Sequence, residues 1–155
     1  MVITAWRIVK ARHAANAFDG EGARAEGGRW NSPGTLVVYT SQSAALAALE
    51  MLVHVGRGSI LSAYVLIPCT FDDALVSQLN RRRLPKNWRS YPAPSELQSI
   101  GDEWVKGGMS AVLEVPSADI DTESNYLLNP QHRDFQTIRV MPPQPFEFDL
   151  RLLKA

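Results

Sequence analysis

Residues 44–55 constrain the fold more than any other stretch. They read Ala-Ala-Leu-Ala-Ala-Leu-Glu-Met-Leu-Val-His-Val, an apolar run carrying a single acid, Glu50. Alanine and leucine favour a helix, and Ser41 or Ser43 can cap its start by accepting a backbone N–H. Gly56 and Gly58 are candidates to end it. A helix apolar on nearly every side is expected to be buried on most of them. It is also too short for a membrane span, which needs about 18 or more apolar residues.

The rest of the chain must cover that helix. Ile3 to Val9 alternates as a strand, with Ile3, Ala5 and Arg7 on one face and Thr4, Trp6 and Ile8 on the other. Leu36 to Thr40 is a second short strand of strong β-formers. Ile60 to Ile67 is a third, which Pro68 is expected to stop. Ser95-Glu96 opens a helix to about Lys106, closed by Gly107-Gly108. Ser110 to Pro116, Asn125 to Pro130, Phe135 to Val140 and Phe146 to Leu153 all read as strands. Between the first two strands, His13 to Pro33 is polar and rich in Gly and Ala, and reads as a long functional loop. Short strands with two helices that do not alternate regularly imply an α+β fold, in one domain spanning residues 1–155.

Composition narrows the function. Sixteen basic and sixteen acidic side chains give a net charge of zero, so no global field favours nucleic acid or an acidic membrane. Arg81-Arg82-Arg83 is a local patch without aromatic interleaving, and reads as a solvated loop or a partner contact. Cys69 is the single cysteine, and His13, His54 and His132 lie far apart, so no metal-ligand spacing is present. No leader-like n- and h-region opens the chain, and the expectation is a cytoplasmic protein.

Five positions can carry chemistry. Glu50 must be paired, hydrogen-bonded, protonated or turned toward a polar cleft; a Glu paired with a neighbouring Arg or emerging at the rim is the alternative. Arg29 sits in Gly27-Gly-Arg-Trp-Asn31, where glycines allow close backbone approach and a guanidinium can grip a phosphate or carboxylate; a plain surface turn is the alternative. Those glycines match neither a dinucleotide-binding nor a P-loop fingerprint. Ser117 ends a strand without the Gly-x-Ser-x-Gly context of a hydrolase nucleophile, and could equally cap a turn. The Tyr39 ring can stack on a flat ligand or belong to the core. His54, four residues after Glu50, shares its helical face and reads as a supporting partner or as a helix-end histidine.

Together these segments resemble the RES domain, a family named for an Arg, a Glu and a Ser. The likeness is carried by Gly27-Gly-Arg-Trp-Asn31, Val38-Tyr-Thr-Ser41, Ala48-Leu-Glu-Met-Leu-Val-His54, Val115-Pro-Ser117 and Asn125-Tyr-Leu-Leu-Asn-Pro130. Ile100-Gly-Asp-Glu-Trp104 adds to it; Asp72 to Arg89 is the least similar stretch. The resemblance assigns the name-giving roles to Arg29, Glu50 and Ser117. It implies a fold similar to the ADP-ribosyltransferase toxin core and a toxin that consumes NAD⁺, with NAD⁺ as substrate and no further cofactor or metal. The acceptor would be water or phosphate, or a protein side chain in an ADP-ribosyltransferase. A non-catalytic nucleotide- or partner-binding module is the alternative of another class.

The implied partner is an antitoxin with an Xre-type helix-turn-helix, in a complex where the toxin can be a dimer, with no direct nucleic-acid or membrane contact by this chain. Trp30, Trp88 and Trp104 are candidate aromatic anchors for that partner. Cleaving the ribose–nicotinamide bond builds positive charge on the sugar, which a carboxylate such as Glu50 stabilises. On the same reading Arg29 grips the pyrophosphate or a ribose, Tyr39 lies against the nicotinamide, and Ser117 and Asn125 supply hydrogen bonds. Trp30 and His54 support the site from behind.

Overall fold

The computed structural model describes residues 1–55, 58 and 61–153. Its strands are β1 (Val2–Lys10), β2 (Val38–Ser41), β3 (Tyr64–Asp72), β4 (Val76–Gln78), β5 (Val112–Pro116), β6 (Ser124–Leu128), β7 (Arg139–Val140) and β8 (Gln144–Phe146). Among the described residues three α-helices, α1 (Glu21–Glu26), α2 (Ala44–His54) and α3 (Ser95–Gly107), complete an α+β domain. The strands form one sheet in the order β4-β5-β6-β2-β1-β3-β7, with β8 also on β3. All pairs are antiparallel except β4 with β5.

Register decides what each face carries. Trp6, Ser41, Asn125 and Val115 are paired in one row, so their side chains leave the same face. Both long helices pack there. Ala47, Met51 and Leu52 of α2 meet Ile8, Tyr64 and Phe148, while Leu97 and Ile100 of α3 meet Leu113, Val115 and Leu127. The opposite face carries Ala5, Val38, Cys69, Val112 and Leu128, covered by Ile138, Phe18 and Phe135. The alternation read from Ile3 to Ile8 is therefore the one the sheet uses.

Several expectations change on folding. β3 runs through Pro68 instead of stopping at it. The Pro68 carbonyl accepts from Met141 N at 2.9 Å. Carbonyl and nitrogen of a strand residue point the same way, so the missing N–H falls on that side and β1 loses no ladder bond. Phe135 to Val140 begins as a 3-10 turn over Phe135–Thr137, where Thr137 donates through Oγ1 to Asp134 O at 2.7 Å, and only Arg139–Val140 is strand. Phe146 to Leu153 leaves the sheet after Phe146, because Asp149 Oδ1 accepts from Arg151 N at 2.8 Å and starts a 3-10 turn over Leu150–Leu153.

The long loop is also more structured than its composition suggests. A 3-10 turn covers Ala11–Asn16, and α1 starts where Asp19 Oδ1 accepts from Glu21 N at 2.8 Å.

α2 is capped by Ser43, whose hydroxyl accepts from Leu46 N at 3.0 Å, and ends at Val55 in extended conformation. Gly56 and Ile60 lie outside the described residues. The expected burial on most sides is overturned: only Leu46 and Ala47 are buried, whereas Leu49 and Val53 are exposed. The helix lies on the sheet with one face, and among the described residues nothing covers the other side at those two residues. Among the described residues no helix is long and apolar enough to cross a membrane.

Candidate functional site

The sheet and α2 bring together three residues far apart in sequence. Glu50 points from α2 toward Asn125 on β6 and Ser117 just past β5. Asn125 Nδ2 donates to Glu50 Oε1 at 3.0 Å, and Ser117 Oγ donates to Oε2 at 3.4 Å. Ser117 is fully buried, and its hydroxyl also accepts from Asp119 N and Ile120 N, each at 3.1 Å. It thus both caps a turn and faces the carboxylate. Burial pushes the Glu50 carboxyl up to about 7; the Asn125 bond opposes this, nearby Asp119 adds to it, and Ser117 and the Arg29 charge oppose it.

Arg29 approaches from the glycine-rich segment, where Gly28 N donates to Asn31 O at 2.9 Å and makes a tight reversal. Its Nη1 donates to the carbonyls of Trp88 at 2.8 Å and Ser90 at 3.2 Å. Arg29 thereby ties the segment ahead of α3 to the site. That segment is held from the other side by Arg89, which donates to Ala118 O at 2.9 Å and Asp119 O at 3.3 Å, next to Ser117.

The glycine ahead of Arg29 has a definite steric reason. A Cβ on Gly28 would lie 2.7 Å from the Tyr39 hydroxyl and 3.0 Å from Asn31 Oδ1. The close approach it permits is to the protein's own side chains. The Tyr39 hydroxyl donates to Asn31 Oδ1 at 2.6 Å and accepts from Trp30 N at 3.1 Å. Burial raises its pKa far above the ordinary phenol range. Tyr39 thus anchors the Arg29 turn from the sheet below. Trp30, at 2% exposure, is packed beneath α3 and so is no surface anchor for a partner. His54 is exposed at the end of α2, with its ring 6.5 Å from that of Tyr91.

Sequence reading missed three contributors. Asn31 is fully buried and its Nδ2 donates to Ala23 O at 2.9 Å and to Thr35 O at 3.2 Å, closing the loop on itself. Arg7 crosses from the opposite face of the sheet, donating to Ala17 O at 2.8 Å and Tyr39 O at 3.0 Å. Burial lowers its pKa to about 10, which leaves it charged near neutrality. Asp119 is the third, through its effect on Glu50. An arginine in an alternating strand was visible as an anomaly; Asn31 stood in a singled-out segment but had no role assigned, and Asp119 carried no distinguishing pattern.

Two of the three arginines at 81–83 have partners: Arg81 pairs with Asp121 and lies 5.6 Å from the Trp88 ring, and Arg83 pairs with Glu103 at 2.9 Å. A cavity of about 620 Å³ is lined by Val105, Lys106, Gly108, Asn129, Gln131, His132 and Arg133. It contains none of the residues grouped around Glu50.

Comparison with known proteins identifies the family and the fold. The family model of the RES domain matches residues 4–149. The protein named Toxin Res from Yersinia enterocolitica is 43% identical over 148 residues, covering 95% of this chain and 97% of that one. Toxin Res from Photorhabdus laumondii is 36% identical over 152 residues, 97% of each. A Sphingobium protein named Prs ADP-ribosylating toxin is 34% identical over 159 residues, 99% of each. A chain in the crystal structure of the M. tuberculosis MbcT-MbcA toxin-antitoxin complex has the same fold, with a TM-score of 0.78 at 21% identity, covering 95% of this chain and 85% of that one.

Proposed function

The chain belongs to the RES-domain family of toxins, and from that premise we propose that it cleaves NAD⁺ at the nicotinamide–ribose bond. The observation that carries the reading is the Glu50 carboxylate, held between Asn125 Nδ2 and Ser117 Oγ. Departure of neutral nicotinamide leaves an oxocarbenium-like ribose, and a carboxylate beside the ring stabilises that charge. No proton need reach the leaving group, so the ionised form of Glu50 is the working one. Arg29 supplies a guanidinium for the pyrophosphate or a ribose, and Tyr39, Ser117 and Asn125 shape the NAD⁺ site from beneath, Tyr39 by bracing the Arg29 turn and the other two by holding the Glu50 carboxylate. Water or phosphate then takes the ribose carbon.

The similarity to a protein named for ADP-ribosylation favours one further reading, in which a protein side chain is the acceptor. Purified chain given NAD⁺ and phosphate, with products identified by mass spectrometry, tests both. Free ADP-ribose or its 1″-phosphate supports the first reading, and a protein gaining ADP-ribose supports the second. No release of nicotinamide in any mixture would leave the binding-module reading.

The proposal includes a partner, an antitoxin carrying an Xre-type helix-turn-helix that covers the site. It is supported by the fold shared with a chain of a toxin–antitoxin complex, and by Leu49 and Val53 standing exposed on the helix that bears Glu50. An antitoxin complex that retained full NAD⁺ turnover would contradict this occlusion.

A further inference from the structure

We propose that Asp102 and Gln98 of α3 are positioning residues that hold Arg29 in its working geometry. The inference rests on the NAD⁺-cleaving reading and extends it to the stretch Ile100-Gly-Asp-Glu-Trp104, to which that reading gives no role. Residues 98, 101 and 102 are three and four apart and share one helical face. That face is spent on the Arg29 turn.

Asp102 Oδ1 accepts from Ser32 N at 3.0 Å, and its Oδ2 accepts from the Ser32 hydroxyl. Gln98 Nε2 donates to Gly28 O and to Asn31 O, each at 3.1 Å. Between these two grips lies Gly101, where a Cβ would fall 1.6 Å from Trp30 O. The backbone on both sides of Arg29 is therefore clamped: Gly28 by Gln98, Trp30 against Gly101, and Ser32 by Asp102. α3 is itself fixed, because Leu97 and Ile100 are buried in the core. A carboxylate accepting from a backbone N–H and a hydroxyl is a strong, directional restraint. The Arg29 side chain remains outside these bonds, with Nη1 on the Trp88 and Ser90 carbonyls.

Such a clamp acts on the site through the turn that carries Arg29, which gives it a distinctive kinetic mark. The test compares partner-free wild type, Asp102→Asn, Arg29→Lys and the double variant, using NAD⁺ as the probe. Asp102→Asn should lower kcat/KM about ten-fold, mostly as a rise in KM, since a misplaced binding group weakens ground state and transition state alike. The double variant should be no worse than Arg29→Lys alone, because the two changes remove one function.

Hydrogen exchange at the Trp30 and Ser32 amides should quicken in Asp102→Asn, with the rest of the chain unchanged. Ser32→Ala, which deletes only the hydroxyl bond, serves if Asp102→Asn does not fold. Multiplicative losses in the double variant, or wild-type kinetics in a folded Asp102→Asn, would overturn the proposal. Absence of NAD⁺ turnover in the wild type would instead strike the underlying reading, and the exchange rates would still decide whether the clamp exists.

Discussion

Asn125 donates its Nδ2 hydrogen to Glu50 Oε1 at 3.0 Å while its own Oδ1 lies buried with no hydrogen-bond partner among the described residues. The amide is therefore oriented by the carboxylate alone, and favours Glu50 in its ionised form. Burial works in the other direction and dominates, pushing the carboxyl up to about 7. Since the proposed chemistry needs the carboxylate, kcat/KM should rise with pH and level off above about 7. Asn125→Ala removes the bond that favours ionisation, so this limb should move to higher pH. Asp119→Asn removes a repelling charge and should move it lower. A profile that stays flat from pH 5 to 9 in the wild type would separate Glu50 ionisation from turnover.

The same displacement makes a statement about stability. The folded carboxyl titrates higher than the unfolded one, so this group's contribution is fully present below the ordinary value of 4.5 and is lost as pH rises through about 7. Glu50→Gln keeps the shape and removes the buried charge. It should raise the melting temperature at pH 8 by a few degrees, on the order of 1–2 kcal/mol, and by less at pH 5. Turnover should fall by about 10²–10³ at the same time, through loss of the electrostatic contact. Thermal melts at the two pH values check it; equal destabilisation at both would mean that Glu50 is a structural carboxylate.

Legibility of the sequence followed the range of the forces involved. Alternation in Ile3 to Ile8 and the capped run after Ser43 depend on neighbours in sequence, and both gave the right elements; the strand's faces were also right, whereas the helix buries one face and leaves Leu49 and Val53 exposed. Pro68 misled because its effect depends on which side of β3 has a partner, a fact of topology. Phe148 reads as a strand residue like Phe146, yet it lies past the end of β8, where its ring meets those of Phe146 at 5.0 Å and Tyr64 at 5.4 Å. Glu50 was legible because a charge in an apolar run demands an explanation. The roles of Asn31 and Asp102 were not, although both stand in segments that carry the resemblance, since buried or half-buried polar side chains that bind backbone look like loop and surface residues until the loop is folded.

Gly101→Ala should be among the most damaging single changes outside the Glu50 site. The added methyl would lie 1.6 Å from Trp30 O and 2.8 Å from Trp30 C, which are backbone atoms unable to rotate away. Either α3 moves off the turn or the turn moves off Tyr39, and overpacking of this kind costs about 1–3 kcal/mol or more. Gly107→Ala, with open space around it, is the matched control. Denaturant melts should show a clear loss for the first and little for the second. A Gly101→Ala protein as stable as the wild type would place α3 farther from the turn than the structure does.

Arg29→Lys should behave almost as a knockout although it keeps the charge. The guanidinium has two tasks that one ammonium cannot share. Its Nη1 already donates to Trp88 O at 2.8 Å and Ser90 O at 3.2 Å, which leaves the remaining edge of the fork for an anion. A planar fork serves both directions at once, whereas an ammonium is a compact point charge. Losing one charge-assisted hydrogen bond costs roughly 1.5–3 kcal/mol, about ten- to a hundred-fold in kcat/KM for NAD⁺. Loosening the segment at Trp88 and Ser90 adds to the loss without unfolding the domain, so the melting temperature should change little. If Arg29 were only a solvated loop residue, lysine would cost almost nothing. Steady-state kinetics on folded wild type and variant separate the two, and near-normal kcat/KM in Arg29→Lys would remove Arg29 from the NAD⁺ site.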